Sequence, residues 1–413
     1  VSETAGGAAV KTVVLAFSGG LDTSFCLVLL RERGWRVVTV TVDTGGFDAP
    51  TLAKIQARAE ALGAAEHRTV DATRAVFDDH ISYLIKGNIR RGGVYPLCVG
   101  AERVVQAKFV GEVVAEIGAQ AICHGSTGAG NDQIRFDVAL RALCPGLEII
   151  APVRDESWTR EGSAAYLIER GYPVESKTTT YSVNEGLWGV TIGGKETHNP
   201  SQVPPDEAYV WTTPVDEAPA GGEVLTIGFM KGLPVTLNGE PMDPVTLLRA
   251  LNARGGAHGV GRGIHLGDTI LGIKGRIAFE APAAAILLEA HRELEKLVLT
   301  RWQQHWKETL GNFYGMLLHE AQHFDPVMRD LEAFMDSSQE VVDGEAKVKI
   351  CRGLVTVVGV SARYSLMNPA LGTYGERNAL WSGADAKGFC NIYGTQSVIA
   401  ARVRRLVDGG GEA

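Results

Sequence analysis

The strongest constraint on the fold lies near the start of the chain. The β-branched run VVLAF at 13–17 passes directly into Ser18-Gly19-Gly20-Leu21-Asp22-Thr23-Ser24, where a helix begins and runs to Arg33. A strand that turns through glycines into a helix is the opening of a βαβ unit. The rhythm then repeats: VVTVTVD at 37–43, a helix from about Pro50 to Leu62, a helix near 102–117, a third strand-like run AQAICHG at 119–125, and LEIIAPV at 147–153. It predicts a doubly wound α/β domain on a parallel sheet.

After Tyr172 the pattern changes to polar segments and a Pro-rich stretch, 199–219. VLTIGFMKGLPVTLNGE at 224–240 reads as a hairpin turning at Lys231-Gly232. Apolar residues at helical spacing between Pro282 and Ser338 predict two or three amphipathic helices, and VKICRGLVTVVGV returns to strand. SVIAARVRRLV at 397–407 reads as a docking helix, able to reach a neighbouring subunit in a multimer. The expected division is a nucleotide-binding domain at 1–172, a second α+β domain for synthesis and multimerisation at 173–390, and a C-terminal tail at 391–413. The Ala-Gly-rich first nine residues and the Gly-Gly-Gly-Glu-Ala end read as frayed tips.

A chain of 413 residues that is 45% hydrophobic can bury two cores. Neither a run of eighteen apolar residues nor a secretion signal is readable, so the expected location is the cytoplasm, away from membranes. The six cysteines form no CxxC pair, which disfavours a disulfide frame or a zinc ribbon. A formal charge of -8 argues against a nucleic-acid footprint and leaves small molecules as the expected ligands.

The first loop brings backbone N–H groups and the hydroxyls of Ser18, Thr23 and Ser24 to a helix N-terminus, an arrangement suited to phosphate. It lacks both the GK[ST] ending of a γ-phosphate loop and the G-x-G-x-x-G of a dinucleotide loop. Asp22 would repel phosphate unless a cation lies between them, and Mg²⁺ is the expected bridge. The same residues would also serve a simple capped turn. The second constellation, His124-Gly125-Ser126-Thr127-Gly128-Ala129-Gly130-Asn131-Asp132-Gln133-Ile134-Arg135-Phe136, follows a strand at the carboxyl edge of the sheet. Its glycines free the backbone, while Thr127, Asn131, Asp132 and Arg135 offer partners for carboxylates and amines. An Asx-turn beside a surface ion pair is the plainer alternative.

AFSGGLDTS resembles the pyrophosphate loop of the N-type ATP pyrophosphatases. With HGSTGAGNDQIRF added, the chain resembles the argininosuccinate synthetase family, in wording similar to one bacterial branch. The likeness extends through TYSVNEGLWG at 180–189, GVGRGIHLGDTILGIKGR at 259–276 and WKETLGNFYGMLLHEAQHFDPVMRDLEAF at 306–334. The resemblance implies ligation of citrulline to aspartate with ATP as co-substrate, through an adenylated intermediate, in a homotetramer. It implies ATP contacts at Ala16, Phe17, Ser18, Gly19, Gly20, Leu21, Asp22, Thr23, Ser24, Val42 and Gly125. Aspartate contacts would fall at Thr127, Asn131 and Asp132, and citrulline contacts at Tyr95, Asn131, Arg135, Ser182 and Thr191. Asp22, Asp132 and Arg135 are the expected catalytic groups.

Three departures bear on citrulline. Gly100 stands where a serine is common in the family, Gly267 where a glutamate is, and Phe279 where a tyrosine is. Asp268 and Glu196 are candidate replacements for the missing carboxylate. Two rival readings remain at this point. One is a nucleotide-binding protein that has lost turnover. The other is a zinc peptidase, because His319-Glu320-Ala321-Gln322-His323 satisfies H-E-x-x-H on a predicted helix.

Overall fold

The computed structural model describes residues 10–174, 181–376 and 380–409, so the first nine residues, most of the Gly-rich end and Thr180 lie outside the described residues. The N-terminal half alternates as expected: β1 (Thr12–Ala16), α1 (Leu21–Glu32), β2 (Arg36–Asp43), α2 (Ala49–Ala61), β3 (Glu66–Asp71), α3 (Glu102–Ile117), β4 (Ala121–Cys123), α4 (Asp132–Leu143), β5 (Glu148–Ile150) and α5 (Arg160–Glu169). The strands form one parallel sheet in the order β3-β2-β1-β4-β5.

Alternation along the strands divides the core. Val13, Leu15 and Val37 pack with Phe25, Ile55 and Leu167 of α1, α2 and α5, whereas Val14, Val38, Val40 and Val42 join Val105, Val110 and Leu140 of α3 and α4. Helices therefore cover both faces, the doubly wound arrangement the sequence predicts. One count differs: AQAICHG is the fourth strand, because EHRTVD forms the third. It is a polar edge strand, with Arg68 donating to Glu66 at 2.6 Å and to Glu116 at 2.9 Å, so it lacks the apolar pattern that marks the others.

Two antiparallel sheets follow. The first, in the order β11-β12-β7-β6, joins β6 (Ser182–Glu185), β7 (Val190–Gly193), β11 (Arg262–Asp268) and β12 (Lys274–Glu280). The second, in the order β10-β9-β8-β13-β14, joins β8 (Glu223–Met230), β9 (Leu233–Leu237), β10 (Glu240–Pro241), β13 (Gly344–Cys351) and β14 (Leu354–Ala362). The β8–β9 hairpin turns at Lys231 (φ 48°) and Gly232 (φ 74°), two left-handed residues whose twist suits a two-residue connection. Helices α6 (Pro244–Ala257), α7 (Pro282–Val298), α8 (Arg301–His319) and α9 (Val327–Gln339) complete this part.

By its contacts the chain divides into one unit at 1–364 and another at 365–413, the latter holding α10 (Gly383–Tyr393) and α11 (Thr395–Val407). The expected boundary at 172/173 runs through the first unit, whose main apolar cluster includes Val14 and Val105 as well as Leu248 and Leu287. The boundary at 390/391 falls inside α10. Among the described residues no helix is long and apolar enough to cross a membrane.

Candidate functional site

Strand order reverses between β1 and β4, the position at which open α/β sheets present ligand sites beyond the carboxyl ends of their strands. On one side, Gly19 (φ 73°) turns the chain into α1, which begins at Leu21 with no side chain capping its N-terminus. Ser18 Oγ lies 3.3 Å from Thr23 Oγ1, and Ser24 Oγ donates to the Gly19 carbonyl at 3.4 Å. The uncapped amides of the first turn and the Ser18 and Thr23 hydroxyls thus edge one shallow cradle, with the positive end of the helix beneath it. Asp22 sits in that first turn, its carboxyl raised above the usual range by burial, against a smaller opposing effect of Arg160.

From the other side Gly125 comes so close that a Cβ there would stand 3.1 Å from Thr23 Cγ2 and 3.2 Å from the Thr23 amide nitrogen. The loop behind it is fixed by His124, a buried side chain that sequence reasoning did not single out. The Ser126 N–H donates to His124 Nδ1 at 3.3 Å, which leaves Nε2 to donate to Asp137 at 2.9 Å. Asn131 accepts from the Ile270 N–H at 2.9 Å, so the turn between β11 and β12 rests on this loop. Thr127 is exposed at the rim, and Val42 lies buried in β2.

The third wall is the β11-β12-β7-β6 sheet. Its register places Thr191 opposite both Asn184 and Phe279, and Phe279 opposite Gly263. With a period of two, Ser182, Asn184, Thr191, Phe279, His265 and Gly267 therefore share one face. Arg103 joins that face to the loop, donating to Asn184 Oδ1 at 3.4 Å and to Asp132 at 3.0 Å. Tyr95 lies against it, stacked on His265 with centroids 5.5 Å apart and tilted on Phe279 at 5.3 Å.

Asp132 and Arg135 form the electrostatic centre. Arg135 Nη1 donates to Asp132 at 3.0 Å, and Arg135 Nη2 donates to His319 Nδ1 at 3.1 Å and to the His319 carbonyl at 3.2 Å. Burial alone would raise the Asp132 carboxyl, but Arg103 and then Arg135 outweigh it and hold it down to about 2. Burial, followed by Arg135, Arg91 and His265, pushes His319 down to about 3, so its ring is neutral at physiological pH. The two acids suggested for the gap at Gly267 are engaged elsewhere: Asp268 pairs with Lys274 at 2.6 Å, and Glu196 accepts from Tyr181 at 2.5 Å.

The zinc reading requires both imidazoles on one helical face, and the structure overturns it. Helix α8 ends at His319, Glu320 caps it, and Ala321 has φ 64°, so His323 lies beyond the helix. Its ring packs on His80, with centroids 4.7 Å apart, while His319 is held by Arg135. Among the described residues no cluster of three or more metal-ligating side chains occurs.

The structure thus brings the loop at 18–24 against Gly125 and joins Asp132 and Arg135 to the β11-β12-β7-β6 sheet through Arg103. Arg103, which touches the sheet face from α3, and His265, which lies within it, carry no local motif and were missed, whereas His319, read as half of the H-E-x-x-H pair, is instead bound by Arg135. Comparison with known proteins finds relatives over nearly the whole chain. The arginosuccinate synthase N-terminal HUP domain model matches residues 12–173 and the arginosuccinate synthase C-terminal domain model matches 181–400. Argininosuccinate synthase of Methanocaldococcus jannaschii is 41% identical over 94% of this chain and 98% of its own length. Those of Pyrococcus furiosus (94% of each chain) and Xanthomonas campestris (96% of this chain, 99% of the relative) are each 40% identical. The chain belongs to the argininosuccinate synthase family of ligases.

Proposed function

We propose that this enzyme joins the ureido carbon of citrulline to the amine of aspartate through a citrullyl-AMP intermediate, releasing AMP and pyrophosphate, as a cytoplasmic homotetramer serving arginine biosynthesis. The observation that carries the reading is the close approach of Gly125 to the open N-terminus of α1, which brings two polar loops to a single switch point. In this reading Ala16 to Ser24, Val42 and Gly125 bind ATP. Thr127, Asn131 and Asp132 hold aspartate, and Tyr95, Asn131, Arg135, Ser182 and Thr191 face the citrulline side.

Chemically, a neutral ureido group is a poor electrophile. Its oxygen attacks the α-phosphorus, the bond to pyrophosphate breaks, and the carbon gains AMP as a leaving group. The N-terminal amides of α1 and the Ser18 and Thr23 hydroxyls stabilise charge on the departing pyrophosphate. Asp22 fits Mg²⁺, which takes one or two protein carboxylates together with phosphate oxygens; bound there, it would neutralise phosphate charge. In the second step the aspartate amine displaces AMP and loses a proton. A carboxyl held at about 2 is a weak base, so Asp132 orients the amine and a phosphate oxygen accepts the proton.

The test is AMP and pyrophosphate release from ATP and Mg²⁺ with citrulline and aspartate together, against controls omitting each in turn. Release that needs both amino acids supports the ligase. Tight ATP binding without such release would overturn it in favour of a binding protein that has lost turnover.

A further inference from the structure

Helices α1 and α5 run side by side in the same direction. Phe25, early in α1, packs on Trp158, which just precedes α5, with centroids 4.7 Å apart, and on Tyr166 at 5.1 Å. Glu32, at the far end of α1, accepts from Tyr166 at 2.5 Å and from Arg170, the residue after α5, at 2.6 Å. The first turn of α5 therefore lies beside the first turn of α1, where the loop at 18–24 ends. Two positive helix ends are neighbours at the edge of the phosphate-type cradle.

The first residue of α5 is Arg160, and it is exposed. A cation at that place is opposed by the helix dipole, so the helix itself gives no reason for it. Pairing gives none either. The Asp22 carboxyl feels the Arg160 charge, but as a downward pull smaller than the upward effect of burial, and among the described residues no ion pair or hydrogen bond engages the guanidinium. Its N–H donors are open on the side of α1 that carries Asp22. A guanidinium stays charged at physiological pH and matches phosphate oxygens with two parallel N–H groups.

We infer that Arg160 is a further catalytic residue, which donates to the β- and γ-phosphate oxygens of bound ATP and stays with them on the departing pyrophosphate. The inference rests on the ligase reading above and adds a group to its first step. In that step the ureido oxygen bonds to the α-phosphorus, the bond from that phosphorus to the bridging oxygen breaks, and its electron pair leaves with pyrophosphate. No proton moves; the guanidinium meets negative charge as it grows on the leaving group. The α1 amides and the Ser18 and Thr23 hydroxyls offer neutral donors to the same oxygens. Arg160 adds a full positive charge where Asp22 carries the opposite sign.

The experiment compares the unmodified enzyme with Arg160→Gln, which removes the charge, and Arg160→Lys, which keeps it without the fork. Calorimetry with ATP, pyrophosphate and AMP, each with Mg²⁺, is set beside the rate of pyrophosphate release with both amino acids. Arg160→Gln is expected to weaken pyrophosphate and ATP by at least about ten-fold and to leave AMP, which lacks the phosphates concerned, within about two-fold. It is expected to lower kcat about a hundred-fold, while Arg160→Lys recovers part of each loss. Thermal stability is expected to stay level or rise, because a cation leaves a helix N-terminus. Unchanged pyrophosphate affinity and kcat in Arg160→Gln, or AMP weakened as much as ATP, would overturn the inference and leave the ligase reading standing. ATP binding by the unmodified enzyme without release that needs both amino acids would overturn the ligase reading; pyrophosphate binding that Arg160→Gln leaves unchanged would overturn this inference in that case as well.

Discussion

Gly125 shows how a single residue holds the two halves of the site together. Any side chain there meets the backbone of Thr23 and Asp22 at 3.2 Å, and backbone at a helix N-terminus cannot move aside cheaply. Gly125→Val is expected to weaken ATP binding roughly ten- to a hundred-fold, measured by calorimetry, with little loss of thermal stability. Glu102 behaves differently. Only 1% exposed, it accepts from Thr44 Oγ1 at 2.8 Å through one oxygen, and its other oxygen has no partner. Burial, opposed by Arg103 and Thr44, raises its carboxyl from 4.5 to about 8. The folded protein therefore keeps this proton up to about pH 8 while the unfolded chain releases it near 4.5. This contribution to stability is complete below the lower value and is lost as pH rises toward the higher one. Glu102→Gln is expected to stabilise the protein at pH 8 by on the order of 3 kcal/mol and to change it little at pH 5, read from urea unfolding at both pH values.

At the scale of elements, three helices are joined by a buried polar network. Lys307 of α8 pairs with Glu295 of α7 at 2.8 Å, with side chains 4% and 3% exposed. Gln339 of α9 donates to Glu295 at 2.7 Å, and Asn88 donates to it at 2.6 Å. Lys307 also donates to the Lys86 carbonyl at 2.6 Å, so α8 is fixed to the N-terminal half from which Arg135 reaches its end. Truncating one partner leaves the other charge buried and unpaired. Lys307→Ala is expected to cost about 3–5 kcal/mol in denaturant unfolding, whereas Lys307→Met together with Glu295→Gln is expected to cost much less, because no charge is stranded.

For the whole molecule, the terminal unit stands out. Helices α10 and α11 contain no buried residue, yet Phe389, Ile392, Tyr393, Val398, Ile399 and Val403 are apolar. Apolar stripes of this kind mark surfaces for association, and the proposed tetramer would cover them. Removing residues 365–413, the unit with its own internal contacts, is expected to lower the assembly below the proposed tetramer in sedimentation analysis and to leave the larger unit folded. An intact tetramer after truncation would assign the interface to the larger unit.

Local chemistry made much of this protein legible in its sequence. Glycines that permit a left-handed turn, hydroxyls at a helix N-terminus and β-branched alternation act over a few residues, so the phosphate-type loop, the doubly wound sheet and the Lys231-Gly232 hairpin could be read directly. The polar strand Glu66–Asp71 escaped because its place comes from pairing with β2 rather than from its own composition. The same holds for the link between Arg135 and His319, which lie 184 positions apart, and for the Ile270 amide on Asn131, across 139 positions. H-E-x-x-H promised two imidazoles on one face, but a helix end at His319 separated them. The sequence by itself determined the glycine turn, the helix start and the polar residues that the proposed site draws on. Only the tertiary structure, through sheet register and the end of one helix, decided that Arg103, Arg135 and His319 meet beside the β11-β12-β7-β6 sheet, because contacts between residues so far apart in the chain are set by packing.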